Sequence, residues 1–379
     1  MNPAHPGVTR ENWRSHPHSV WAFQNLASFL PTVEVPAGDW VRRFDERPVD
    51  LSGLCFEAPD HGRLSWTGFL DSTHSDAMLV LRRGTVLFEH YANGMAADTP
   101  HMLFSVTKSV VGLLAEMLIE RNVLEEAGSA SDYVAELVGS PFGQATVRGL
   151  LDMRDGVRFD EDYANPRADI HLYSAAYWGS AQGGVAAALP GIGTAGEPDA
   201  FAYRTPVTDV LGWCLTRAAG MPLSRLVSEL LWQPIGAERP AFFVCDTAGH
   251  EIAAAGFNAT LPDVGRFAQM LANDGVVEGK QVVSRAIVER IAAGGSRAAF
   301  AQAGMATRPG WSYRSHWWVP PEQASFCALG VFGQRVLVDA AEDLCIVRFG
   351  SHPIASNTIT DDVHAAAFGA LRRFLAHLP

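Results

Sequence analysis

Hydrophobic positions near both ends of the chain follow patterns typical of β-strands. Residues 77–91 (AMLVLRRGTVLFEHY) form two apolar runs joined at Arg83–Gly84, and this pattern predicts a β-hairpin. After about residue 300, short runs rich in aromatic and β-branched residues predict further strands at Trp311 to Val319, Gln334 to Asp339 and Cys345 to Phe349. The simplest assembly pairs the hairpin with these late strands in one antiparallel sheet.

Helical periodicity dominates the middle of the chain. From Ser105 to Glu120 apolar residues recur at three- and four-residue spacing, which predicts a helix. Further helices are predicted at Trp21 to Leu30, Val207 to Ala219, Leu223 to Leu231, Leu261 to Asn273 and Asp361 to His377. The rest of residues 1–50 is predicted to be an irregular arm, and the Gly- and Ala-rich residues 181–200 a surface loop.

This order of elements predicts an α+β fold, in which an antiparallel sheet is flanked by helices and carries an inserted, mainly helical domain. Residues 1–103 and 275–379 would form the sheet domain, with the N-terminal arm at about residues 1–50. Residues 104–274 would form the inserted domain. We expect the active site between the two domains.

Composition narrows the range of functions. Asp and Glu number 41 against 29 Lys and Arg, a net charge of −12, so neither nucleic acid nor an anionic membrane surface is an expected partner. The longest apolar run, Val110 to Ile119, contains Glu116 and is far shorter than the ~20 residues of a membrane helix. Without a signal-peptide pattern, and with five scattered cysteines, a cytoplasmic protein with reduced thiols is predicted.

The tetrad Ser105-Val106-Thr107-Lys108 is the strongest chemical signal in the sequence. Residues at i and i+3 share one helix face, so the serine hydroxyl and the lysine amine can touch. A buried lysine at a helix N-terminus loses its proton readily and can activate the serine as a nucleophile. The alternative is that Ser105 caps the helix and Lys108 is a solvated surface residue. Lys108 and Lys280 are the only lysines among 29 basic residues, which favours a role that arginine cannot fill.

Two further segments fit such a site. In Tyr203-Arg204-Thr205, just before a predicted helix, a tyrosine near a lysine could act as a general acid or base; otherwise it is one of seven ordinary tyrosines. In Leu329-Gly330-Val331-Phe332-Gly333-Gln334, the glycines would let a substrate approach a strand whose N–H completes an oxyanion hole; otherwise they mark a bend in a sheet.

Other motifs are set aside. Gly191 to Gly196 matches G-x-G-x-x-G but follows a proline and no helix comes after it, so no dinucleotide cofactor is expected. Glu161 to Asn165 matches E-x-x-x-N of class A β-lactamases but precedes Tyr203, the reverse of the order in that class. The thirteen histidines form no metal-binding motif, so no metal is expected. The aromatic residues around His316 are predicted to pack in the core.

Taken together, the motifs resemble one known family. The segments that carry the resemblance, from about residue 77 to the end, are LVLRRGTVLFEHY, FSVTKSVVG, LLDMRDGVRFDEDYANP, AYRTPVTDVLGW, DGVVEGKQVVS and LGVFGQRVLVD. The chain resembles the β-lactamase and penicillin-binding-protein-like serine hydrolases, in the branch of class C enzymes and family VIII carboxylesterases. Within it, the 6-aminohexanoate-dimer (nylon-oligomer) hydrolases are the most similar. The resemblance implies a β-lactamase-like fold.

The resemblance also implies roles for individual residues. Ser105 would be the acyl-enzyme nucleophile, Lys108 its proton partner and Tyr203 an acid and base. The backbone N–H groups of Ser105 and Val331 would form the oxyanion hole. The substrate-binding residues implied in the same way are Tyr163, Leu172, Tyr177, Trp178, Ala254 and Phe332.

Departures from the family pattern narrow the range of substrates that we expect. Val331-Phe332-Gly333 stand where β-lactamases carry K-T-G or H-T-G, so the cation suited to a β-lactam carboxylate is missing. Thr205 stands where the family has the asparagine of Y-x-N. Leu172 best matches an acid that holds the substrate amine in nylon-oligomer hydrolases. Antibiotic hydrolysis and turnover of the cationic dimer are therefore disfavoured.

The sequence thus predicts a serine hydrolase that cleaves small carboxylic esters or amides through an acyl-enzyme on Ser105, with carboxylesterase activity favoured. One alternative is a linear amide hydrolase of the 6-aminohexanoate type, and another is a non-catalytic domain that binds a small molecule. Acyl transfer would use the same residues. A homodimer is a further expectation from the resemblance.

Overall fold

The computed structural model describes residues 7–162, 165–179, 182–305, 307–321 and 325–377. The strands, in chain order, are β1 (Thr32–Val35), β2 (Asp45–Glu46), β3 (Cys55–Ala58), β4 (Gly62–Ser65), β5 (Ser75–Arg82), β6 (Thr85–Tyr91), β7 (His101–Met102), β8 (Val157–Arg158), β9 (Thr194–Ala195), β10 (Ala241–Val244), β11 (Phe257–Ala259), β12 (Val276–Val277), β13 (Lys280–Gln281), β14 (Ser312–Arg314), β15 (Trp317–Val319), β16 (Ser325–Gly330), β17 (Gln334–Asp339) and β18 (Leu344–Gly350). The helices are α1 (His18–Ala22), α2 (Trp66–Ser72), α3 (Val106–Glu120), α4 (Ala130–Tyr133), α5 (Pro141–Gln144), α6 (Val147–Leu151), α7 (Asp169–Trp178), α8 (Gly184–Ala188), α9 (Thr205–Ala219), α10 (Leu223–Val227), α11 (Leu261–Ala272), α12 (Arg285–Ala293), α13 (Arg297–Gln302) and α14 (Asp361–Ala376).

One eight-stranded sheet contains both the early hairpin and the late strands. Its order is β14-β15-β16-β17-β18-β5-β6-β2, and β18 lies antiparallel to β5 with Leu344 opposite Arg82. The predicted hairpin and its pairing with the late strands are confirmed, as is the α+β fold class. The sheet is not purely antiparallel, because β2 at its edge runs parallel to β6. The run Trp311 to Val319 forms two strands, with a turn at Ser315 and His316.

Helices cover both faces of this sheet, and the alternation of side chains along β5 shows how. Met78 and Val80 point to one face and join a core with α2 and α14. Leu79 and Leu81 point to the other face and join the larger core. On that face α11 approaches so closely that a Cβ on Gly265 would lie 2.4 Å from Cδ2 of Leu79.

This packing bears on the predicted domains. Helix α11 belongs by sequence to residues 104–274 but packs on the sheet. Conversely, β1 of the N-terminal arm pairs with β10 of the middle segment, with Thr32 opposite Val244. Contacts therefore run across both predicted boundaries, and the division into two domains stays a prediction.

Two local predictions are wrong. The arm is not wholly irregular, because β1 and β2 pair with strands far along the chain, and its predicted helix divides into α1 and a 3-10 turn, Leu26–Ser28. Residues 181–200 are not only a loop, because they contain α8 and β9. The Asp246 carboxylate accepts a hydrogen bond from the Val185 N–H at 2.8 Å, and this contact holds the start of α8.

No helix in the described ranges is both long and apolar enough to cross a membrane. All five cysteines are free thiols, and four of them are buried. The predicted helices α3, α9, α11 and α14 agree with the sequence to within two residues at their ends.

Candidate active site

The S-x-x-K tetrad lies at the start of α3. Phe104 has a positive φ of 47°, and this turn brings the chain into the helix at Ser105, its N-cap residue. One helical turn later, Nζ of Lys108 lies 3.0 Å from Oγ of Ser105. Lys108 is 1% exposed, so the alternative of a solvated surface lysine is wrong.

The surroundings of Lys108 favour its neutral form. Burial lowers the pKa of its amine to about 8, although the charges of Glu161 and Asp209 act in the opposite direction. Nζ also donates a hydrogen bond to the backbone carbonyl of Ala254 at 2.9 Å. The backbone of Ala254 therefore contacts the lysine, and the substrate contact expected of Ala254 stays a prediction.

Tyr203 stands over the same amine. Nζ of Lys108 lies 5.4 Å from the centroid of the Tyr203 ring. Trp318 stacks on this ring, with the ring centroids 5.3 Å apart. The Arg308 guanidinium lies 4.9 Å from the Trp318 ring. The aromatic residues near His316 pack in the core, as predicted, and Trp318 also stacks on the Tyr203 ring.

Glu161, which sequence reasoning set aside, lies in the site. Its carboxylate accepts hydrogen bonds from the N–H and the Oγ1 hydroxyl of Thr205, both at 2.5 Å. Burial raises the pKa of Glu161, while the charge of Lys108 lowers it. The Thr205 hydroxyl that replaces the family's asparagine is thus held by an acid. Motif order gave no signal for this contact, because it depends on how the loop before α7 folds back onto the start of α9.

The Gly-containing segment, residues 329–334, lies at the end of β16 and approaches the backbone that leads to Ser105. Strand β16 ends at Gly330, where a Cβ would lie 2.4 Å from the carbonyl oxygen of Leu103. Only glycine permits this approach, so the strand end that leads into Val331 lies against the backbone two residues before Ser105. The following 3-10 turn contains Phe332 at a φ of 62°.

Phe332 and Leu172 have opposite environments. Phe332 is 7% exposed and packs against Phe23 and Phe104, with ring centroids 5.1 and 5.2 Å apart. Leu172, on α7, is 70% exposed. The substrate contacts expected of both residues stay predictions.

The remaining implied pocket residues lie on or before α7. Tyr177 and Trp178 line a cavity of about 490 Å³ together with Arg10, and among the described residues Ser105 is not part of its lining. Trp178 packs on Trp13 of the arm at 5.2 Å. Tyr163 lies outside the described residues.

His101 is a buried histidine that pairs with a carboxylate. Within the described ranges, no three His, Cys, Asp or Glu side chains are arranged to hold a metal ion. His101 and Asp76 form a fully buried pair at 3.2 Å, and Asn93 and Ser351 also donate hydrogen bonds to Asp76. Because these donors satisfy the carboxylate, the pair ties β5 to β7 and to the chain after β18.

Comparison with known proteins shows the family to which the chain belongs. A model of the beta-lactamase family matches residues 67–365. The chain belongs to the beta-lactamase family. This membership places it among serine hydrolases and agrees with the fold and motifs that the sequence predicts.

Individual members of the beta-lactamase family are similar to the chain to different degrees. A 6-aminohexanoate-dimer hydrolase of Paenarthrobacter ureafaciens is 34% identical over 91% of this chain and 88% of its own. A structure assigned as a 6-aminohexanoate-dimer hydrolase from Bacillus anthracis covers 100% of both chains at 28% identity, with a TM-score of 0.88. EstCE1, a hydrolase with promiscuous acyltransferase activity, shares the fold at 18% identity and a TM-score of 0.60, over 77% of this chain and 93% of its own.

Proposed function

We propose that this protein hydrolyses small carboxylic esters and linear amides through an acyl-enzyme on Ser105, with esters turned over faster. The observation that carries the proposal is the buried Lys108 amine, 3.0 Å from the Ser105 hydroxyl at the start of α3. Burial keeps a share of that amine neutral near pH 8, and a neutral amine can accept the serine proton.

In acylation, Lys108 takes the proton from Oγ of Ser105 as Oγ attacks the substrate carbonyl. The backbone N–H groups of Ser105 and Val331 would stabilise the oxyanion, because the close approach of Gly330 to Leu103 brings these two segments together. The tetrahedral intermediate then collapses as the bond to the leaving group breaks. Tyr203, beside the Lys108 amine, would give the leaving oxygen or nitrogen its proton and regain one from Lys108.

Deacylation reverses these roles. The Tyr203 hydroxyl first passes its proton to Lys108, and the resulting phenolate takes a proton from water as the water attacks the acyl carbonyl. The bond to Oγ of Ser105 then breaks, and Lys108 gives Oγ the proton that it holds. The products are a carboxylic acid and an alcohol or amine. An alcohol acceptor in place of water would give acyl transfer with the same residues.

The preference for esters is supported by what the site lacks. Leu172 offers no negative charge where the nylon-oligomer hydrolases hold the substrate amine, and its side chain is 70% exposed. An ester also has a better leaving group than an amide. The second candidate, hydrolysis of linear amides of the 6-aminohexanoate type, is favoured by the relative that is 34% identical over 91% of the chain.

Leu172→Asp tests this second candidate. The substitution should raise kcat/KM for the linear 6-aminohexanoate dimer by about fivefold, because one new ion pair with the substrate ammonium contributes on the order of 1 kcal/mol. Initial rates on the dimer and on p-nitrophenyl butyrate measure the effect, and the neutral ester serves as the control. An equal gain on both substrates, or no gain on the dimer, would contradict the placement of Leu172 at the amine.

The proposed function itself is tested by initial rates of the wild type and Ser105→Ala. The substrates are p-nitrophenyl acetate and butyrate, the linear 6-aminohexanoate dimer and a chromogenic cephalosporin. We expect ester turnover in the wild type, slower amide turnover, little cephalosporin turnover and loss of all of them in Ser105→Ala. Electrospray mass spectrometry after rapid quenching should show the acyl group on the wild type only.

Equal activity of Ser105→Ala, or a wild type inactive on every substrate, would contradict the proposal and favour the non-catalytic binding domain. A buried lysine 3.0 Å from a serine argues against that alternative, since a binding domain has no need of a deprotonated amine. A cytoplasmic location and a homodimeric state remain proposals beside this function.

A further inference from the structure

Asp209 is a buried carboxylate, 7% exposed, on the second turn of α9, and none of the steps above uses it. Tyr203 lies just before the start of α9, and Asp209 follows it by six residues on that helix. Its two oxygens have different partners, and both partners lie close to the catalytic residues.

Oδ1 of Asp209 accepts a hydrogen bond from the backbone N–H of Ala254 at 3.0 Å. The carbonyl of the same residue, Ala254, accepts the hydrogen bond from Nζ of Lys108 at 2.9 Å. One backbone residue therefore connects the carboxylate to the amine. It lies in the turn that is closed by the hydrogen bond from the Gly256 N–H to the Ile252 carbonyl at 2.8 Å.

Oδ2 of Asp209 accepts a short hydrogen bond from the Tyr173 hydroxyl, and the ring of Tyr177 packs on that of Tyr173 at 5.2 Å. Both tyrosines are buried and stand one turn apart on α7. The carboxylate thus joins three parts of the fold, namely α7, α9 and the turn at Ala254. Such a junction fixes the Ala254 carbonyl more firmly than the turn alone can.

The direction of that carbonyl matters for catalysis. A neutral amine has two N–H bonds and one lone pair, and only the lone pair can accept the serine proton. When one N–H is directed to the Ala254 carbonyl, the lone pair is limited to directions that include Oγ of Ser105, 3.0 Å away. Rotation of the carbonyl would release the amine from this orientation, and small misplacements of a catalytic group cost up to about a hundredfold in rate.

We propose that Asp209 is a positioning residue, whose carboxylate holds the Ala254 turn so that the Ala254 carbonyl directs the Lys108 amine at Ser105. This inference rests on the proposed function, because it gives Lys108 the role of base. The groups that face Asp209 are Lys108 from α3, Tyr173 and Tyr177 from α7, and the N–H of Ala254.

Two substitutions separate positioning from charge. Asp209→Ala removes the acceptor, and we expect kcat for p-nitrophenyl butyrate to fall about tenfold or more while KM changes less than about threefold. Asp209→Asn keeps an acceptor oxygen for Ala254 but removes a negative charge near Lys108. Since that charge raises the pKa of Lys108, its loss should move the low-pH limb of kcat/KM to lower pH, by about half a unit or more.

Asp263→Asn is the matched control. Asp263 is also a fully buried carboxylate; it accepts hydrogen bonds from the Glu238 N–H at 2.7 Å and from Arg266 at 2.7 Å, on α11. We expect its substitution to lower the melting temperature without moving the pH profile. Thermal unfolding of all variants shows how much of any loss is due to unfolded protein.

The outcomes are distinguishable. A wild-type kcat in folded Asp209→Ala overturns the inference, and so does a pH profile of Asp209→Asn that coincides with the wild type. If Asp209→Ala fails to fold, the pH profile of Asp209→Asn decides alone. If Ser105→Ala is inactive, a contradicting result in an Asp209 variant removes only the role of Asp209. If Ser105→Ala is active, the proposed function and the inference both fail.

Discussion

Replacing Lys108 by arginine is expected to lower kcat/KM for small esters by about a thousandfold or more while the protein stays folded. Arginine retains its proton in proteins, so it cannot take the proton of Ser105. The site depends on that difference, because burial brings the pKa of Lys108 down to about 8. In the wild type, where the neutral amine is the base, kcat/KM should therefore rise with pH and level off above about pH 8. Initial rates from pH 6 to 10 measure both effects.

Lys280→Arg is the control, because Lys280 is the only other lysine and is exposed on β13. We expect this variant to keep wild-type rates and the wild-type pH profile. If the larger guanidinium disturbs the buried position, Lys108→Met supplies an uncharged side chain of similar length and should be equally inactive. Near-normal turnover in either folded Lys108 variant would contradict the assignment of Lys108 as the base.

The second large effect is expected for Tyr203→Phe, which should lower kcat for ester and amide substrates by about a hundredfold. Phenylalanine keeps the ring that stacks on Trp318 at 5.3 Å, so the substitution removes the hydroxyl and little else. The loss should be greater for the amide, because an amine leaves only when it is protonated. Pre-steady-state rates of p-nitrophenol release isolate the acylation step.

Tyr313→Phe is the matched control for this result. Tyr313 is buried in the same aromatic cluster, with its ring 6.1 Å from that of Tyr203 and 5.2 Å from that of Trp318. We expect its activity to remain within about threefold of the wild type. A change of less than threefold in Tyr203→Phe as well would remove Tyr203 from the mechanism.

Local sequence patterns were sufficient to predict those elements whose structure depends on residues close together in the chain. The apolar run of β5, the apolar spacing of α3 and the i, i+3 relation of Ser105 to Lys108 are all local, and the structure agrees with them. The glycines at 330 and 333 were predicted to admit a substrate or to mark a bend, and neither alternative anticipated that Gly330 lies against the carbonyl of Leu103.

The failures concern contacts between distant segments. Strand β1 has only four residues, and its partner β10 lies some two hundred positions later, so no local pattern marks it as a strand. Helix α8 is Gly- and Ala-rich, and its first turn is held by a hydrogen bond from the Val185 N–H to the distant Asp246 carboxylate. Glu161 was discounted on motif order, yet the fold brings it to Thr205.

The pairing of β5 with β18 has a consequence for how the protein is made. Leu344 lies opposite Arg82, so the strand that pairs with this edge of β5 is synthesised long after β5 itself. Until then β5 presents an unpaired edge with an apolar centre, residues 77–81, which is a site for aggregation in a nascent chain. The proposed oxyanion hole likewise cannot form until Val331 has been synthesised, because it needs the N–H groups of both Ser105 and Val331. We therefore expect activity to appear only after β18 has been synthesised, and chains that end before β18 to accumulate as insoluble material.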